Sequence, residues 1–221
     1  SQAPKGIYYR PHVIYNKLTR LYVLWYNWYP SFWNGKFGVA VSKSPAGPFK
    51  IVSTDVKVLN SDKGLGDLNL FVDEDGEAYL IYNSIAGHFV SVEKLKDDYL
   101  SSTLENSGIV AKDCEAETMF KRNGKYYLLT DQACCFCNYG TGARVFTADF
   151  PLGKFEEKGN INRYPGRMNT GLIDNIKKGN VFETLNGDST RFDQVEINLP
   201  AKQSFEDISI YVFTGNRPEN C

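Results

Sequence analysis

Residues 67–82 read DLNLFVDEDGEAYLIY: a carboxylate, a short apolar strand, a tight acidic turn and a second apolar strand. The design recurs twice without a gap, as RPHVIYNKLTRLYVLW from Arg10 and as EAETMFKRNGKYYLLT from Glu115. Arg10, Asp67 and Glu115 each stand twelve residues before a tyrosine (Tyr22, Tyr79, Tyr127). One unit is therefore repeated, and its first position is charged each time. A fainter fourth copy starts at Asn169, with Leu172 and Ile173 at the apolar position and Lys178-Gly179 near the turn. The starts at 10, 67, 115 and 169 are separated by 57, 48 and 54 residues.

The segments between these starts read as strands. Unit one predicts strands at 13–15, 21–26, 37–42 and 49–53, with an aromatic loop, NWYPSFWNG, after the second. The run 21–26 is nearly all apolar, as expected of a strand covered on both faces. In unit two, Asp75-Gly76 is a hairpin signal, because both residue types tolerate positive φ. A third strand is expected at 88–92, before the polar link KLKDDYLSST. Unit three has its turn at Arg122-Asn123-Gly124, then a cysteine-rich loop and a strand at 143–148. Further strands are expected at 194–199 and 208–213. Four short strands per ~40–50 residues, with no long amphipathic helix, predict an all-β β-propeller. The expectation is a single domain over 1–221, with clear repeats at 10–160 and a divergent closing segment at 161–221. A propeller's first strands line its channel. Asp67 and Glu115 should then face each other across one pocket.

Composition narrows the function. Charged residues make up 23% and the net charge is −1, which gives no general attraction to nucleic acid or acidic membranes. No apolar run is long enough to span a bilayer. The chain opens at Ser1 without Met, either because a leader has been removed or because it begins downstream of the natural start. Cys114, Cys134, Cys135, Cys137 and Cys221 lack metal-site spacing and favour disulfides, hence a secreted protein. The odd cysteine, with Cys221 the candidate, could contact another chain. No N-x-S/T sequon supports secretion further. No cofactor is expected, because no Gly-rich phosphate loop, G-x-S-x-G or H-E-x-x-H occurs. The Asp73–Gly76 turn lacks the twelfth-position glutamate and the flanking helices of a calcium loop. A structural ion in the channel is compatible with the pattern, and no metal-binding residue is assigned.

Two carboxylates in a pocket rimmed by aromatics point to glycoside hydrolysis, in which one must hold a proton for the leaving oxygen. Tyr26, Trp28, Tyr29, Phe32 and Trp33 are candidates to stack on sugar rings. Arg10 is a candidate to bind hydroxyls or steady a carboxylate. Polar residues at repeat starts can also simply abut a solvated channel.

The stretches RPHVIYN…YVLWYNW, VSKSPAGPF, GDLNLFVDEDGEAYLIY, LKDDYLSST and EAETMFKRNGKYYLLT, in that order over about residues 7–160, resemble glycoside hydrolase family 43. The likeness is greatest to its exo-β-1,3-galactanase-like branch. The resemblance implies a five-bladed propeller, of which three to four units are visible. It also implies inverting hydrolysis of a galactan, arabinan or xylan. Glu115 matches the general acid and Asp67 the residue that tunes and orients it. Where the family often has Gly-Pro after the acid, this chain has Ala116-Glu117. In an extended strand Glu117 would face the same way as Glu115, which makes it a second candidate.

The family's usual base, an early aspartate, has no counterpart before Arg10; the first acidic residue is Asp55. In the galactanase-like branch an amide replaces it, for which Asn169 is the candidate by period and Gln194 by residue type. Tyr9 stands where that branch often has Glu. Substrate-binding candidates are Arg10, Asn27, Trp28, Asn83 and Gln132. The leading reading is thus an O-glycosyl hydrolase whose partner is a polysaccharide or oligosaccharide. The alternative is a catalytically degenerate, secreted carbohydrate-binding or structural propeller, suggested by the missing base. A third reading, a propeller binding proteins through its loops, rests only on the CCFC loop and Cys221.

Overall fold

The protein was analysed as a computed structural model that describes residues 3–31, 34–131 and 143–161. The chain forms two compact units, Ser1–Ala133 with Val145–Lys158, and Cys134–Arg144 with Gly159–Cys221. The second unit contributes only residues 143–144 and 159–161 to the description, as ends of two strands. The expected strands at 194–199 and 208–213, and the fourth repeat at Asn169, lie outside the described residues.

The described chain is all β apart from one 3-10 turn at Ser61–Lys63, and it forms three antiparallel meanders. The first comprises β1 (Ile7–Asn16), β2 (Leu21–Tyr29), β3 (Lys36–Ser42) and β4 (Lys50–Ser53), in that order. The second comprises β5 (Leu65–Val72), β6 (Ala78–Ser84), β7 (Phe89–Leu95) and β8 (Ser102–Asn106), with β9 (Ala111–Lys112) also pairing β7. The third comprises β10 (Thr118–Arg122), β11 (Lys125–Thr130), β12 (Ala143–Ala148) and β13 (Glu156–Ile161). Consecutive sheets meet through their first strands: β5 touches both β1 and β10. These are propeller blades, one per repeat unit.

Three expectations need correction. The link KLKDDYLSST carries the end of β7 and the start of β8, and the polar Ser102 in it is buried against the Glu93 carboxylate. The first strand is longer than the expected 13–15, because β1 begins at Ile7 and runs to Asn16. The aromatic loop after 26 is shorter than expected, because Asn27, Trp28 and Tyr29 extend β2 and pair with β1.

The turns follow their chemistry. Asn123 and Gly124 both take positive φ, 50° and 74°, the conformation of a two-residue type I′ hairpin. In the turn between β5 and β6 Gly76 takes positive φ, 88°, but Asp75 does not, and the Asp73 amide closes the turn on the Glu77 carbonyl at 2.8 Å. The Asp73 carboxylate reaches the third blade, accepting from Lys121 Nζ at 2.8 Å and from the Tyr126 hydroxyl. Burial alone would raise its pKa; these two donors outweigh burial and hold it below the usual aspartate value.

The middle blade organises the core. Every residue of β6 is buried. Leu80 and Tyr82 join a cluster with Val23, Trp25 and Phe37 of the first blade. Tyr79 and Ile81 join a second cluster with Met119, Leu128 and Phe146 of the third. Alternate side chains of one strand thus feed two cores, which is why its sequence is continuously apolar rather than alternating. Trp25 Nε1 donates to the Tyr99 carbonyl at 2.8 Å, tying the first blade to the turn between β7 and β8 of the second. Leu80 is fully buried, so Leu80→Ala is expected to lower stability by about 2–5 kcal/mol through lost burial and a residual cavity. Urea unfolding of the full chain measures it; a loss under about 1 kcal/mol would contradict the two-core arrangement.

Candidate active site

Each repeat-start residue stands outside the regular ladder. In β1 the register passes from Tyr9↔Asn27 to His12↔Trp25, which leaves Arg10 and Pro11 opposite the single residue Tyr26. Pro11 has no N–H to give the ladder, so a bulge is its natural place. In β5 the register passes from Leu65↔Ser84 to Leu68↔Tyr82, which leaves Gly66 and Asp67 opposite Asn83. Gly66 is required: a Cβ there would lie 2.1 Å from Asn83 Oδ1. In the third unit β10 begins only at Thr118, after Glu115 and Ala116. Arg10 and Ala116 both hold positive φ, 48° and 54°, a conformation that is uncommon for residues with a Cβ and clusters at functional sites. Bulges re-aim side chains, and in the first two blades they take Arg10 and Asp67 out of the ladder alternation.

The meeting point is Asp67. Its Oδ2 accepts from Arg10 Nη2 at 2.6 Å and from the Ala116 backbone N–H at 3.1 Å. One oxygen thereby joins all three units. The Arg10 side chain is 48% exposed, so this ion pair adds at most about 1 kcal/mol to stability and is better suited to setting geometry. Glu115 is half-buried, and its backbone is fixed by Asp131: the Glu115 N–H donates to Asp131 Oδ1 at 2.6 Å, and the Asp131 N–H donates to the Glu115 carbonyl at 3.0 Å. Tyr29 senses the same charges. Burial first, then Asp67 and Glu115, push its phenol up to about 12, so it stays protonated.

A pocket of about 210 Å³ opens beside this junction, lined by Arg10, Pro11, His12, Asp67, Leu68, Asn69, Ala116 and Glu117. His12, Asn69 and Glu117 each stand two residues after a repeat start. The pocket wall is thus a second polar ring, one position further into the strands. His12 Nδ1 accepts from the Leu70 N–H at 3.1 Å, which places the neutral ring's proton on Nε2. Burial lowers its pKa, so the neutral form prevails. Glu117 is fully buried, and neither carboxylate oxygen has a hydrogen-bond partner among the described residues. Burial, followed by the charge of Asp67, pushes its pKa well above the ordinary glutamate value, with its own backbone N–H and then Arg10 opposing more weakly. Because Ala116 is left-handed and precedes the strand, Glu117 does not simply repeat the direction of Glu115, as an extended strand would require.

The remaining candidates separate from this pocket. Asn27 is buried, and its amide donates to the Leu65 and Lys36 carbonyls at 3.1 and 3.3 Å. Asn83 is buried and donates to the Cys114 carbonyl at 3.0 Å. Each thereby holds the chain just ahead of the next blade's carboxylate, Asp67 or Glu115. Trp28 is buried under Tyr8, its Nε1 donating to the Thr54 carbonyl at 2.7 Å. Tyr26 is buried against Gly38, where a Cβ would fall 2.2 Å from the ring. Cys114 is buried in the core between the second and third blades. Phe32, Trp33, Gln132, Asn169, Gln194 and the other four cysteines lie outside the described residues.

The model of the glycosyl hydrolases family 43 matches residues 16–192. The chain belongs to this family. Among solved structures, a family-43 β-1,3-galactosidase with bound galactodeoxynojirimycin is 28% identical, with a TM-score of 0.62 over 70% of this chain and 58% of that one. The exo-β-1,3-galactanase of Phanerochaete chrysosporium, solved with galactose, is 25% identical, with a TM-score of 0.60 over 70% of this chain and 36% of that one. The chain therefore spans little more than half of the first relative and about a third of the second. No curated protein matches the chain.

Family membership accounts for the blades and for the resemblance at the galactanase-like branch. His12 and Asn69 escaped the sequence reading, although the gapless alignment of the three units put a polar residue at that position each time. The pH dependence of stability tests the pocket directly. The native state binds the Glu117 proton more tightly than the unfolded chain does. Its contribution is therefore full below about pH 4.5 and is lost as pH rises toward the raised native value. Glu117→Gln removes this loss. The stability difference, variant minus wild type, is expected to be flat below pH 4 and to grow above it, with a slope approaching about 1.4 kcal/mol per pH unit. Urea unfolding from pH 4 to 8 reads that slope, and parallel curves would show that Glu117 is solvated.

Proposed function

We propose that the protein is an inverting glycoside hydrolase acting on β-1,3-linked galactan, with Glu115 as general acid. The observation that carries this reading is the junction at Asp67, which gathers the starts of three blades of a family-43 chain beside one pocket. The substrate assignment is supported by the names of the solved relatives, a β-1,3-galactosidase and an exo-β-1,3-galactanase.

The chemistry follows from the residues. Glu115 donates its proton to the glycosidic oxygen as the bond to the anomeric carbon breaks. The backbone of Glu115 is fixed by Asp131, so the acid is held in place before substrate arrives. Asp67 bonds the N–H next to Glu115, which orients the segment that carries the acid. Arg10 balances Asp67 and leaves part of its guanidinium exposed to meet a sugar hydroxyl. Water attacks the opposite face, positioned by a hydrogen bond to an amide oxygen for which Asn169 is the candidate and Gln194 the second, and its released proton passes to solvent. In an inverting enzyme the acid and base stand roughly 6.5–9.5 Å apart, leaving room for that water. A polymeric substrate and the cysteine-rich segment favour action outside the cell.

The test is release of reducing sugar from β-1,3-galactan, with arabinan and xylan as controls. Glu115→Gln is expected to lower kcat by about 10²–10⁴-fold, the range for losing a general acid. Asp67→Asn should lower kcat, because it removes the negative charge that Arg10 pairs with. Inversion at a β-linkage predicts that the product appears first as the α-anomer, visible by NMR before mutarotation. Undiminished turnover by Glu115→Gln would remove Glu115 from the acid role. Release from xylan or arabinan alone would remove the galactan assignment.

A further inference from the structure

Among the described residues two glutamates are buried, Glu93 and Glu117, and they are treated differently. Glu93, on β7 away from the pocket, collects four kinds of donor. Its oxygens accept from the Leu59 N–H at 3.1 and 3.2 Å, the Tyr82 hydroxyl at 2.9 Å, the Asn106 amide at 2.8 Å and the Ser102 hydroxyl. This is how a fold satisfies a buried carboxylate that belongs to its framework. Glu117 has no such partners for either oxygen among the described residues, and it lines the pocket. Leaving a buried polar atom unpaired costs the full desolvation of that atom, and more when the group is charged. Tyr26, Asn27, Ser84 and His88 also carry an unpartnered buried polar atom, but of this set only Glu117 lines the pocket and leaves both oxygens of a carboxyl group unmet.

The charged and titratable groups around it define what it can meet. Asp67 approaches from β5, Arg10 and His12 from β1, and Glu115 from its own segment. Asp67 is already engaged by Arg10, and Glu115 precedes Glu117 by two residues. A second or third negative charge here would go uncompensated by the single guanidinium. The acid form of Glu117 presents one O–H donor and one carbonyl acceptor instead. His12 offers an N–H at Nε2, Asn69 an amide, and Arg10 its remaining guanidinium donors. Donors and acceptors mixed on one small wall, with no strong net charge, suit the vicinal hydroxyls of a pyranose. They do not suit a cation, which would need carboxylates free of Arg10, or an anion, which Asp67 would repel.

We propose that Glu117 is a ligand-contacting residue of this pocket, donating a hydrogen bond from its carboxylic acid to a sugar hydroxyl. The proposal rests on the carbohydrate-active reading above. It adds a contact distinct from the proton transfer assigned to Glu115, because no proton leaves Glu117 during the contact. An isosteric amide can make the same bond, whereas a methyl cannot.

The experiment uses the full chain carrying Glu115→Gln, so that saccharides are bound without turnover. Affinity for β-1,3-galactobiose is measured by calorimetry from pH 5 to 9, with Glu117→Gln and Glu117→Ala added in turn. The expected result is that Glu117→Ala weakens binding at least tenfold while Glu117→Gln stays within about threefold. Binding should weaken as pH rises in the chain that retains Glu117 and should stay flat with Glu117→Gln. Circular dichroism and unfolding of each variant keep a folding defect apart from a lost contact. Galactobiose binding unchanged by Glu117→Ala, or a pH dependence shared by Glu117→Gln, would overturn the contact alone. Tighter binding of calcium than of sugar, lost with Glu117→Gln, would overturn it in favour of a cation site. Absence of binding to any saccharide would overturn both this contact and the reading it rests on. Sugar binding that depends on Glu117, with no hydrolysis by wild type, would sustain the contact and overturn the hydrolase reading.

Discussion

Strand β6 has no solvent face. Its side chains alternate between two cores, one shared with the blade before it and one with the blade after it. The other structural features depend on this sandwiching. It sets the spacing of the three sheets, brings their first strands side by side, and leaves the beginnings of those strands as the place where polar side chains can gather. A sheet with one wet face would show alternation. The run AYLIYNS does not alternate, because neither side is wet.

Polarity is admitted at the strand beginnings through backbone irregularity. Two bulges and a left-handed alanine take Arg10, Asp67 and Glu115 out of the ladders, so their side chains are freed from the strict in-and-out alternation. The residues that allow this are ordinary ones with a physical reason. Pro11 cannot donate a ladder hydrogen bond, and Gly66 has no Cβ to strike Asn83. The amides of Asn27 and Asn83 then secure the carbonyls just ahead of Asp67 and Glu115. Two buried asparagines that look like sugar ligands in the sequence hold the chain where the carboxylates need it.

The site has two layers. The repeat-start layer is joined by charge-assisted hydrogen bonds at one oxygen of Asp67. The layer two residues further along, His12, Asn69 and Glu117, lines the pocket and is nearly uncharged. His12 is neutral because burial disfavours its cation, and Glu117 is held toward its acid form by burial beside Asp67. A charged inner junction beneath a neutral, hydrogen-bonding wall is suited to holding an uncharged, hydroxyl-rich ligand next to an acid.

Much of this was legible in the chain itself. The gapless repetition of RPHVIYNKLTRLYVLW, DLNLFVDEDGEAYLIY and EAETMFKRNGKYYLLT determined three blades, their hairpins and the coming together of Arg10, Asp67 and Glu115. Periodicity and turn chemistry are local, and a repeated unit must place equivalent residues equivalently. The length of β2, the fourth strand hidden in KLKDDYLSST, and the roles of Asn27, Trp28 and Asn83 were decided only in three dimensions. A buried amide and a ligand-binding amide have the same sequence signature; they differ in which carbonyl of a neighbouring blade lies within reach. The placement of Glu117 was likewise a tertiary matter. Spacing put it two residues after Glu115, but only the left-handed turn at Ala116 and the burial beside Asp67 made it an unpartnered acid in the pocket wall.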